Sequence, residues 1–189
     1  PRTAAWLDLG DGGAFYFGAQ RLWRGFYRLG REASGDWRLA PAHAVTHAGY
    51  SDLGALLGTD LDGDGRAELV VGTGAWNQLD LRVFRASGDG LELELADMRT
   101  PGRITGLATV RGDGATRLAA LKDDRYAPFP DPPHTGEPEG VYLYGWAEGH
   151  LIDAGHLALP RRGELAALPI AEGLLACDLD GDRRSDLVA

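Results

Sequence analysis

The sequence predicts an all-β chain, a β-propeller of four-stranded antiparallel blades, and three observations point to it. An acidic segment recurs along the 189 residues at a spacing close to 50, and self-similarity at such a period marks a propeller or a solenoid array. Between the acidic segments apolar and polar residues alternate, as in Leu91-Glu92-Leu93-Glu94-Leu95, which is the period of a strand. Helical periodicity is almost absent. Four antiparallel strands in roughly 50 residues make one blade.

The best-preserved copy runs Asp60-Leu61-Asp62-Gly63-Asp64-Gly65-Arg66-Ala67-Glu68-Leu69-Val70-Val71-Gly72, and it returns as Asp178-Leu179-Asp180-Gly181-Asp182-Arg183-Arg184-Ser185-Asp186-Leu187-Val188-Ala189. A worn copy occupies 109–120 and a shortened one 8–18. Starts at 8, 60, 109 and 178 are separated by 52, 49 and 69 residues. The long interval contains an insertion, 123–140, with prolines at 128, 130, 132, 133 and 138. The expected blades are therefore 1–48, 49–101, 102–169 and a partial 170–189, about three and a half in all. An open half-propeller would leave sheet edges and an apolar flank bare. We therefore expect the chain to be part of a longer protein whose other blades are among its partners.

Each period repeats one order of elements. A small-residue apolar strand enters the acidic loop (Leu53–Thr59, Ile104–Val110, Glu172–Cys177), and a second leaves it (Leu69–Gly72, Leu118–Leu121). Two alternating strands follow: Leu22–Leu29 and Trp37–Pro41, Leu79–Ala86 and Leu91–Asp97, Val141–Trp146 and Leu151–Leu159. Trp6, Trp23, Trp37 and Trp146 are expected to pack between blades. Cys177, closing an innermost strand, is expected to be buried and inert.

Composition narrows the function. Twenty-eight acidic against 19 basic residues give a net charge of −9, which disfavours nucleic acid and anionic membrane surfaces and suits cation binding. No apolar run reaches the ~18–20 residues of a membrane helix. The single cysteine excludes an internal disulfide. Glycine, at 28 of 189 residues, is about twice its usual share, and much of the excess falls in the acidic loops and hairpin turns.

Carboxylates at loop positions 1, 3, 5 and 9, with a glycine near position 6, converge on one point. Oxygen ligands in that number suit Ca²⁺, which takes six to eight oxygens at ~2.3–2.6 Å. Asp60, Asp62, Asp64 and Glu68 would ligate in the first loop with the Arg66 carbonyl. Asp178, Asp180, Asp182 and Asp186 would do so in the second with the Arg184 carbonyl. The alternative is a solvated acidic turn, and it fits the second loop better than the first because Arg183 replaces a glycine there. An EF-hand is excluded: it needs a glutamate at position 12, where the two loops have Val71 and Ala189. Two structural calcium sites are expected. The copy at 109–117 carries Arg111 and Arg117 where carboxylates would stand, so no metal is expected there, with an internal arginine in place of the cation as the alternative. The shortened 8–13 loop is likewise expected to bind none.

The pattern Asp-x-Asp-Gly-Asp-Gly-x-x-Glu-Leu-Val-Val-Gly resembles the FG-GAP/VCBS repeat of integrin-α-like propellers. The resemblance implies a propeller, usually seven-bladed, with calcium in the hairpin between a blade's first and second strands, in a secreted or cell-surface protein. On such a scaffold the opposite turns carry recognition. Trp76 and Asn77, with Tyr126, Phe129 and His134 of the insertion, are the candidates for binding a protein or glycan ligand. No nucleophile elbow, phosphate-binding loop or zinc-protease motif occurs. The expectation is a non-catalytic, calcium-stabilised binding or adhesion module. The rivals are an accessory propeller of an extracellular hydrolase or lyase, and a scaffold shell in a large toxin or surface assembly.

Overall fold

The computed structural model describes residues 4–10, 12–18, 25–42, 53–73, 80–87, 90–99, 102–112, 114–122, 138–158 and 173–188, with backbone alone for 93–99. They form fourteen strands and no helix: β1 Ala4–Asp8, β2 Gly13–Gly18, β3 Phe26–Arg31, β4 Trp37–Pro41, β5 Leu53–Thr59, β6 Glu68–Thr73, β7 Asp80–Ser87, β8 Gly90–Arg99, β9 Ile104–Gly112, β10 Ala115–Lys122, β11 Gly140–Ala147, β12 His150–Ala158, β13 Leu175–Cys177 and β14 Asp186–Val188. Consecutive strands pair antiparallel into three four-stranded sheets, β1–β4, β5–β8 and β9–β12, and one two-stranded sheet, β13–β14. Among the described residues no helix is long and apolar enough to cross a membrane.

Alternation puts every second side chain on one face of a strand, and the second and third sheets bury both faces. Ala5, Leu7, Ala14, Tyr16 and Phe26 of the first sheet pack on Leu56, Leu69, Val71 and Phe84 of the second. The opposite face of the second, with Ala55, Val70, Leu81 and Val83, packs on Leu107, Leu118, Ala120 and Tyr144 of the third. The third in turn lays Ala108, Ala119 and Leu121 against Leu174, Ala176 and Leu187 of the fourth. This doubled burial explains why β6 is buried at every position, with apolar Leu69, Val70 and Val71 consecutive at its centre rather than alternating with polar residues.

First strands of successive sheets approach closely. A Cβ at Gly54 would overlap the Ile104 carbonyl, and one at Gly58 would overlap the Trp6 carbonyl, so glycine is what allows these backbones to meet. Hydrogen bonds then tie sheet to sheet: Ala67 N–H to the Asp8 carbonyl (2.8 Å) and Ser185 N–H to the Arg111 carbonyl (3.1 Å). Thr109 Oγ1 donates to Thr59 Oγ1 at 2.8 Å. Ala67 and Ser185 occupy the same loop position, one residue before the last carboxylate, so the acidic loops also fasten each sheet to the one before.

Two expectations are corrected. Trp6 and Trp37 are 45% and 55% exposed, because they sit on the face of the first sheet that no other described sheet covers. Trp146 does pack against the second core cluster, and Trp23 lies outside the described residues. Cys177 is only partly buried, because it shares the face of β13 that carries the exposed Leu175, opposite the face that Ala176 packs on the third sheet.

Candidate metal centre

The two acidic loops join β5 to β6 and β13 to β14, and they fold alike down to single hydrogen bonds. In the first, Gly63 N–H and Gly65 N–H donate to the two Asp60 oxygens at 2.7 and 3.0 Å. Asp64 N–H donates to Asp62 (3.1 Å) and Arg66 N–H to Asp64 (2.8 Å). Leu61 N–H donates to Glu68 Oε2 at 2.8 Å. The second loop reproduces all five. Gly181 N–H and Arg183 N–H donate to Asp178 at 2.7 and 2.9 Å. Asp182 N–H reaches Asp180 at 3.0 Å, Arg184 N–H reaches Asp182 at 2.8 Å, and Leu179 N–H reaches Asp186 at 2.8 Å.

Left-handed backbone makes these turns possible. Gly63 and Gly65 have φ of 80° and 85°, Gly181 has 84°, and Arg183 keeps the same shape at 67°. Arginine in that region is strained by about 1–2 kcal/mol. The substitution singled out in the sequence therefore leaves the loop geometry intact at a cost in energy.

One carboxylate oxygen each from Asp60, Asp62 and Glu68 lie within 4.8 Å of one another, and so do those of Asp178, Asp180 and Asp186. These six predicted ligands are thus brought together as two groups that can hold a metal ion. Asp64 and Asp182 are in the loops but outside these triads. Arg66 and Arg184 enter through their backbone, with N–H groups spent on Asp64 and Asp182. Trp76, Asn77, Tyr126, Phe129 and His134 lie outside the described residues.

Glu68 is the most informative ligand. Its side chain is wholly buried. Its Oε1 accepts no hydrogen bond among the described residues, and the nearest cationic atom is Arg85 Nη2 at 3.6 Å. A buried, unsatisfied carboxylate oxygen is costly. Burial, opposed by the Leu61 N–H and aggravated by the Asp62 and Asp64 charges, pushes the Glu68 carboxyl up to about 7. A cation among these oxygens would relieve that penalty, so the donor set fits one.

Sequence reading missed Arg85. It stands on β7, 21 and 23 residues from its partners, and donates to Asp64 Oδ2 (2.8 Å) and Asp62 Oδ2 (2.7 Å). For Asp62, desolvation acts to raise the pKa, but the Arg85 hydrogen bond, the Asp64 N–H and the Arg85 charge together hold it below the ordinary carboxylate value. The only sequence signal was register: with Leu69 paired to Phe84, the next residue of β7 comes up beside Glu68. Asp62 and Arg85 also line an open cleft of about 610 Å³ with Trp146, Ala147, Glu148 and Gly149, at the loop end of the second and third sheets.

The other two copies differ. At 109–117 strand β9 runs on to Gly112 and β10 restarts at Ala115, which makes a tight hairpin. At the first copy Leu9 N–H closes on the Gly12 carbonyl at 2.7 Å, a shorter turn. Comparison with protein-family models and with curated proteins finds no match to this chain.

Proposed function

We propose that the four sheets are successive blades of an FG-GAP/VCBS-type β-propeller, with Ca²⁺ in the loops 60–68 and 178–186. On this reading the chain is a non-catalytic module that binds a protein or glycan ligand in a secreted or cell-surface protein. The observation that carries it is the identity of the two loops, five hydrogen bonds for five, each presenting three converging carboxylates. Unrelated acidic turns have no reason to share that scheme. The hard oxygen donors favour Ca²⁺ over softer-ligand metals. Meandering four-stranded sheets, stacked face to face through their first strands, support the propeller.

Calcium's part is structural. It neutralises the carboxylates and rigidifies hairpins that also anchor neighbouring sheets through Ala67 and Ser185. A ligand present at a hundred times its Kd stabilises by about 2.7 kcal/mol per site, and 1 kcal/mol moves Tm by about 2–4 °C at this chain length. Calcium should therefore raise Tm by roughly 10–20 °C over chelator when both sites fill, and Asp62→Ala should remove about half of that. Identical melts in calcium and in chelator would reject the reading.

A further inference from the structure

The first acidic loop has a cationic side chain among its carboxylates. Arg85 of β7 donates through Nη2 to Asp62 Oδ2 at 2.7 Å and through Nη1 to Asp64 Oδ2 at 2.8 Å. Nη2 also stands 3.6 Å from the buried Glu68 Oε1, which accepts no hydrogen bond among the described residues. Asp62 and Glu68 are two of the three acids whose oxygens converge to within 4.8 Å. The guanidinium therefore reaches between the same acids that would ligate an ion. Asp64 Oδ1 accepts the Arg66 N–H, and Asp62 Oδ1 accepts the Asp64 N–H. Of each acid, Oδ2 is thus the oxygen not spent on the turn, and Arg85 takes both. An ion at ~2.3–2.6 Å from these carboxylates would lie close to Nη2, beside a wholly buried Glu68 where like charges are poorly screened. Ion and guanidinium exclude one another there.

Register ties Arg85 to the loop. Leu69 stands across from Phe84, Phe15 from Leu29 and Leu118 from Tyr144. The next residue along each of these third strands is Arg85, Gly30 and Gly145 respectively. Arginine holds this place in the sheet with the complete acidic loop. Glycine holds it in the two sheets whose loops are the shortened and worn copies. Arg85 also has room to withdraw. Its side chain is 32% exposed, and it lines the open cleft of about 610 Å³ together with Trp146 and Glu148. A carboxylate and an indole are suitable partners for a displaced guanidinium.

We infer, resting on the calcium site proposed above, that Arg85 is an internal counter-ion of the loop 60–68 and that calcium binds there by displacing it into the cleft. Arg85 then holds the acidic hairpin together at low calcium, and it sets the calcium concentration at which this site fills.

Calorimetric titration of wild type, Arg85→Met and Arg85→Lys with Ca²⁺ tests this. The loop 178–186 is unaltered in all three and serves as an internal reference, and melting curves confirm that each variant folds. Methionine removes the charge from an unbranched side chain, so the first site should bind Ca²⁺ at least ~10-fold more tightly, a change of about 1.4 kcal/mol. Lysine keeps the charge but lacks the forked donor, so it should tighten binding as well, by less. In chelator, Arg85→Met should melt at least about 2 °C below wild type. Equal or weaker calcium binding by Arg85→Met overturns the inference and leaves the calcium site standing, because the guanidinium would then support the ion. Arg85→Lys binding like wild type also overturns it, since charge alone would then account for the gain. So does an Arg85→Met chain that melts like wild type in chelator. If neither wild type nor Arg85→Met binds calcium in the loop 60–68, the metal reading itself is rejected.

Discussion

Replacing Glu68 by glutamine should have opposite effects with and without calcium. The amide can still accept the Leu61 N–H, so the loop's fold is retained while the buried charge is removed. In the metal-free protein the Glu68 carboxyl lies near 7 against an ordinary 4.5, and each pKa unit is about 1.4 kcal/mol. Ionised Glu68 therefore destabilises the metal-free fold by up to about 3 kcal/mol. The sign follows from linkage: a raised folded-state pKa gives stability that is fully present below about 4.5 and lost as pH rises through about 7. At pH 8 in chelator, Glu68→Gln should melt higher than wild type, by up to about 6–12 °C at 2–4 °C per kcal/mol. In saturating calcium the order should reverse, because the variant lacks an anionic ligand and holds the ion less tightly. Scanning calorimetry at pH 8, with calcium and with chelator, reads both arms. A variant that melts lower than wild type in chelator would refute the argument that Glu68 is a buried charge which the Leu61 N–H and Arg85 compensate only in part. One that gains as much from calcium as wild type would refute its role as a ligand.

Further expectations follow from single contacts. Arg183→Gly relieves a left-handed arginine and should stabilise by about 1 kcal/mol, read as a higher Tm; a lower one would contradict the strain. Asp80, which accepts from Arg82 Nε and Nη2 at 2.9 and 2.8 Å and from Thr73 Oγ1 at 2.6 Å, pairs a buried guanidinium. Asp80→Ala should cost about 3–5 kcal/mol in denaturant unfolding, and a cost below about 1 kcal/mol would mean the pair is not structural.

The sheets were legible wherever local signals agreed. β4 and β5 match their expected limits, Trp37–Pro41 and Leu53–Thr59, because acidic or turn residues bound them. β3 runs Phe26–Arg31, and residues 22–24 of the strand expected from Leu22 lie outside the described residues. The acidic loops were legible because their geometry is local: side-chain oxygens bond N–H groups two to seven residues away. Arg85 was not, because its approach depends on which residue of β7 stands opposite Glu68. Nor was the exposure of Trp6 and Trp37, since a strand pattern marks two faces without saying which neighbour covers each. Asp80 and Arg82 read as ordinary strand polarity, and only the packed sheets make them a buried pair.

Calorimetric titration of the metal-free chain with Ca²⁺ tests the central claim most directly. Two ions per chain should bind, falling to one when Asp60 and Asp62 are both replaced by alanine. Absence of binding, or an unchanged stoichiometry in that variant, would contradict it.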